Sequence, residues 1–147
     1  MAARLDPARI RQWVARLRPG AVIKLYSALA GKNKRHVLIS ATADRSVAFF
    51  INTRPADFIR ARPDLLKRQV LMSLASHRFM AYDSHIACHD TVRIPGMANL
   101  VAGLDDDSIQ LLGHVHRSLF PAIVNSARGS PNISERDLVL IVSGFTV

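Results

Sequence analysis

The sequence predicts an α+β fold in three parts: an N-terminal helix over residues 1–18, a small antiparallel β-barrel over 19–95, and a helical tail over 96–147, together one domain. Three observations lead there. Near the N-terminus apolar residues recur every three or four positions, the period of one helix face. From Gly20 the pattern changes to short apolar runs separated by polar turns, which is how strands read. Beyond Pro95-Gly96 helix-start signals return. With 147 residues, 49% of them apolar, the chain is long enough to bury a core without covalent staples. Its single cysteine, Cys88, excludes an internal disulfide framework and fits a reducing cytosol, so a cytoplasmic location is expected.

Asp6-Pro7 opens the first helix. Asp caps free N–H groups, and Pro fits the first turn, where its missing N–H is not needed. Leu5, Ile10, Trp13, Val14 and Leu17 share one face, arginines occupy much of the rest, and Pro19-Gly20 ends the helix. Strands are expected at Ala21–Tyr26, His36–Ser40 and Val47–Ile51, with a loop from Ser27 to Lys34 and a turn at Asp44–Ser46. So short a link makes the last two an antiparallel hairpin. Thr53 to Leu66 reads as partly helical, broken or restarted at Pro63. Strands follow at Gln69–Leu74, Ser84–Cys88 and Thr91–Ile94, and Pro95-Gly96 closes the β region. In the tail, Asp105-Asp106-Asp107 reads as an acidic helix start, followed by Ile109, Leu111 and Leu112. Ser118 begins another helix that ends at Gly129, and Ser134 to Asp137 reads as a capping box. Leu138 to Val142 is equally compatible with helix and strand.

Composition narrows the function classes. There are 20 Lys and Arg against 11 Asp and Glu, a net charge of +9, with 16 arginines and one glutamate, Glu135. Such a balance favours an anionic partner, and the planar guanidinium suits phosphate or carboxylate. No run approaches the roughly 18 apolar residues of a membrane span, and no secretory signal is recognisable. His85, Cys88 and His89 have zinc-ligand chemistry, but on a strand Cys88 points away from the two histidines, so an ordinary strand with a buried thiol is the simpler reading. No Walker loop, dinucleotide fingerprint, zincin or serine-hydrolase motif occurs. No cofactor and no metal are expected.

One constellation remains. Gly31-Lys32-Asn33-Lys34-Arg35 places three cations directly before a buried strand, and Asn52-Thr53-Arg54 follows the hairpin's other arm. Across that hairpin Arg35 and Thr53 fall at the same open end. A guanidinium, a hydroxyl, an amide and further cations on one rim suit a phosphodiester. The competing reading is a solvated basic loop, with Thr53 capping the helix that follows.

The segments Arg18-Pro19-Gly20-Ala21-Val22-Ile23, Lys34-Arg35-His36-Val37-Leu38-Ile39-Ser40 and Phe49-Phe50-Ile51-Asn52-Thr53 resemble the MazF/PemK toxin family of the CcdB/MazF superfamily. The resemblance runs over residues 18–54 and more loosely to 95. It implies an SH3-like barrel, a homodimer, a small acidic antitoxin partner, and cleavage of single-stranded RNA by metal-independent transesterification. It also implies catalytic roles for Arg35 and Thr53. Lys32, Lys34, Asn52 and Arg54 are then expected to hold the RNA phosphates, and His36 or His77 to supply acid–base chemistry near neutral pH. The chain departs from the family pattern at His36, where a proline is customary, in the Pro55–Leu66 insert, and in its C-terminal helices. The alternative is a non-catalytic barrel that binds an acidic protein or nucleic acid through the same rim. A DNA-reading helical tail is disfavoured by its few cations.

Overall fold

The apolar runs after Gly20 hydrogen-bond into an antiparallel sheet that buries both of its faces. The computed structural model describes residues 5–146. Its strands are β1 (Ala21–Ser27), β2 (Lys32–Ser40), β3 (Arg45–Asn52), β4 (Gln69–Met72), β5 (Ser84–Ala87), β6 (Val92–Pro95) and β7 (Gln110–His114). Their spatial order is β4-β5-β3-β2-β1-β7, with β6 also bonded to β3. β5 and β6 share one edge of β3. Ile51 pairs with Ile86 and Ala48 with Val92, so three steps along β3 match six along the partner, and the surplus around Cys88–Asp90 bulges out. The fold is thus α+β with an antiparallel sheet, as expected, but the sheet is not closed: β4 and β7 end the order and do not pair with each other.

Alternation along the strands fills two apolar clusters. Val22, Val37, Ile39, Val47 and Phe49 face Ile123 of α5 (Phe120–Ala127) and Ile141 and Phe145 at α6 (Glu135–Gly144). Ala21, Ile23, Leu38 and Ala48 face Leu17, just after α1 (Pro7–Arg16), and Leu100, Val101 and Leu104 of α4 (Met97–Asp105). Burial on both faces explains why β1 to β3 read as nearly continuous apolar runs. Phe145 meets Phe120 edge-on at 5.0 Å, a favoured aromatic geometry. α6 is pinned to β6 by Asp137, whose carboxylate accepts from Arg93 at 2.9 Å and from the Thr91 hydroxyl at 2.6 Å.

The start signals of the first and last helices act as expected. Asp6 Oδ1 accepts from the Ala8 N–H, and Ser134 Oγ from the Asp137 N–H. Leu138 to Val142 is helical. The 53–66 segment forms two short helices, α2 (Asp57–Arg60) and α3 (Pro63–Leu66), the second restarted at Pro63.

Three local expectations are corrected. Asp105-Asp106-Asp107 ends helix α4 rather than starting one, and Asp107 turns the chain at φ 65° into β7. Residues 110–114 are therefore strand, so the β region does not close at Pro95-Gly96, and the tail is not purely helical. Finally, the 27–34 segment is a tight turn: β2 begins at Lys32, after Gly31 at φ 69°. Gly31 suits that left-handed position, which β-carbons disfavour.

Candidate functional site

Because β2 begins at Lys32, the cations before His36 belong to a strand, and they alternate between its sides. Arg35 shares a side with Val37 and Ile39, and Lys34 with His36 and Leu38. Here, at the end of the hairpin, the sheet has outrun the helices, and a cavity of about 430 Å³ opens. Arg35, Thr53, Lys32, Lys34, Asn52 and Arg54 all line it. The structure therefore brings together every residue that the sequence placed on a phosphate rim.

Two more lining groups were missed. Lys24 lies directly across from Arg35 in the β1–β2 register, and Ser84 enters from β5. A lysine inside Ala21-Val22-Ile23-Lys24-Leu25 interrupts an otherwise buried strand, and that interruption is the signal that could have found it. Ser84 carries no such signal, since only the long-range β3–β5 pairing delivers it.

The electrostatics are one-sided. Five cations line the cavity and no carboxylate does. The three ion pairs among the described residues join Arg9 to Asp105, Arg60 to Asp57 and Arg93 to Asp137, none of them at this site. Like charges placed directly opposite, as Lys24 and Arg35 are, destabilise a strand pair. The Arg35 Nε is buried without a hydrogen-bond partner. Lys34 Nζ donates to Asn52 Oδ1 at 2.6 Å and to the Ile51 carbonyl at 3.3 Å, and sits 5.2 Å from the Phe50 ring centre. Burial, and then the neighbouring Lys32 charge, hold the Lys34 pKa below its ordinary value. Such a site can bind an anion, and its guanidinium can stabilise charge that develops on it.

The two histidines assigned to acid–base work are not in this lining. His36 is almost wholly buried on the other side of β2, and its Nδ1 donates to the Lys34 carbonyl at 3.0 Å. Burial pushes its pKa down to about 4, so it is neutral at pH 7. His77, also buried, is a clasp: Nδ1 donates to the Ser73 carbonyl at 2.9 Å and Nε2 accepts from the His116 N–H at 2.9 Å. Both of its nitrogens are engaged by the fold. Among the described residues no three His, Cys, Asp or Glu side chains converge as a metal site. Cys88 is fully buried, and its thiol pKa is pushed far up, which makes it a poor nucleophile.

No protein-family model matches the chain, and no curated protein matches it significantly.

Proposed function

We propose that this cavity binds the phosphodiester backbone of single-stranded RNA. The observation that carries the reading is the opposition of Lys24 and Arg35, two cations with no carboxylate between them and a buried guanidinium N–H left unpartnered. An anion supplies the missing acceptor and relieves the repulsion. Lys32, Lys34 and Arg54 add charge around it, while Thr53, Asn33 and Asn52 add neutral polar groups. The test is a titration of labelled single-stranded RNA across salt concentrations. Affinity falls steeply as salt rises, by a slope of about 0.7 in log K per phosphate neutralised. Affinity independent of salt contradicts the reading.

Lys34 favours a second, stronger reading, that the bound strand is cleaved. An ammonium with a lowered pKa is a better proton donor than an ordinary lysine. The RNA 2′-OH attacks the adjacent phosphorus and gives up its proton to water. Arg35 stabilises the phosphorane, Thr53 and Asn52 orient it, and Lys34 protonates the departing 5′-oxygen. The products are a 2′,3′-cyclic phosphate and a 5′-OH. Chromatography of RNA incubated with the protein in EDTA detects them, and intact RNA with folded wild type leaves the binding reading alone.

The resemblance extends the same proposal. Its SH3-like core would be the β1–β2–β3 meander with the bent β5–β6 ribbon, β4 and β7 being additions at the edges. An acidic antitoxin-like segment would compete with RNA for the five cations. A homodimer is tested by light scattering at micromolar concentration.

A further inference from the structure

A second cavity, about 750 Å³, lies beside the basic one. Its walls include Tyr26, Leu29, His36, Phe50, Val92 and Ile94. Tyr26 is 64% exposed and Leu29 81%, so apolar surface stands open to water there. The two cavities meet along the β1–β2 hairpin. Tyr26 and Ser27 of the second pair across the ladder with Asn33 and Lys32 of the first. Lys34 of the first cavity lies over the Phe50 ring of the second. Their charges differ sharply. The second cavity carries Asp44 and Asp90 beside Arg45 and Arg93, and the Arg93 guanidinium is already bound to Asp137. A phosphate has no reason to enter it. A flat, neutral, partly apolar group does, and the buried His36, neutral at pH 7, keeps the floor uncharged.

We infer that this groove receives a nucleobase adjoining the phosphate held in the basic cavity, with the exposed Tyr26 ring as its stacking surface. The inference rests on the RNA-binding reading above. Stacking of a base on an aromatic side chain contributes ~1–3 kcal/mol, and every base has a face to stack. A basic track beside an aromatic surface is the arrangement that holds single strands, and a duplex, whose bases are hidden, gains nothing from the second cavity. The groove's carboxylates can accept from base N–H groups, which adds a route to preference among bases.

The experiment compares two probes: a short single-stranded RNA, and the same sugar–phosphate backbone carrying no bases. Wild type is expected to bind the base-bearing strand about tenfold tighter or more. Tyr26→Ala should erase that difference and leave abasic binding unchanged, Tyr26→Phe should retain it, and Arg35→Ala should weaken both probes. Tyr26 is exposed, so its replacement leaves the core intact, and a thermal melt checks this. Equal wild-type affinity for both probes overturns the base groove while leaving the phosphate site standing. Failure to bind either probe overturns the RNA reading and this inference together. If Tyr26→Ala leaves RNA binding untouched but converts a dimer to a monomer, the groove is a contact between copies of the chain, and the inference is wrong.

Discussion

In the middle of β2, Val37, Leu38 and Ile39 send successive side chains into two apolar clusters, each closed by helices. Just before them, Lys34 and Arg35 send successive cations to the same two sides, where helices no longer cover the sheet. The alternation is identical, and only the covering layer differs. In the covered middle, charge survives when paired, as Asp137 is with Arg93. At the open end, cations sit together unpaired, which costs stability unless an anion joins them. The stretch that the core does not need is thus where a ligand can act.

The largest expected effect comes from unpairing a charge in the covered region. Arg93→Met leaves the buried Asp137 carboxylate with only the Thr91 hydroxyl and its other neutral neighbours. Breaking a buried pair costs about 3 kcal/mol or more. For a chain of this length that lowers Tm by roughly 6–12 °C, read by calorimetry. An unchanged Tm means that Asp137 is better solvated than its burial indicates. Removing both charges together should restore part of the loss.

His36 gives an effect of similar size, spread over pH. Its folded pKa, about 4, lies below the ordinary 6.5. As pH falls through 6.5 the unfolded chain takes up a proton that the folded chain refuses, so stability declines until about pH 4. The difference corresponds to about 3 kcal/mol over that window. His89, whose pKa burial also lowers, acts in the same direction. Denaturant unfolding at several pH values should show the slope, and His36→Leu should flatten it. An equal slope in the variant assigns it elsewhere.

A smaller effect is expected at Gly113 in β7. A β-carbon there would lie 2.4 Å from Phe79 Cδ1. Gly113→Ala should cost about 1–3 kcal/mol, the usual range for overpacking, unless Phe79 swings away freely, in which case denaturation midpoints will coincide.

The same contrast explains what the sequence disclosed. Strands β1 to β3 were legible because two-sided burial writes long apolar runs. The rim was legible because cations at a strand end break such a run. β7 was not: it is short and half-buried on every side but one, and the acidic triplet before it mimics a helix start. α4 was passed over although Met97, Leu100, Val101 and Leu104 have helical spacing, since its Gly96 cap offers no side-chain signal. Lys24 was hidden by its apolar neighbours, and Ser84 by a pairing that only the folded chain makes. His36 and His77 show the limit of reading chemistry from residue type. Each has catalytic chemistry, yet one is buried neutral and the other clasps two backbone groups.

The central claim is that the open end of the sheet is a phosphate site centred on Arg35. It is tested most directly by Arg35→Ala, with stability and RNA affinity measured on the same sample. Unfolding free energy should stay within about 0.5 kcal/mol of wild type, as for a side chain outside the core. Affinity for single-stranded RNA should fall at least about tenfold, the loss of a charge-assisted hydrogen bond, and the salt slope should shrink by about 0.7. Arg35→Lys should recover only part of the affinity, since a point charge cannot reproduce the two-pronged contact. Unchanged RNA affinity in a folded Arg35→Ala protein would contradict the account.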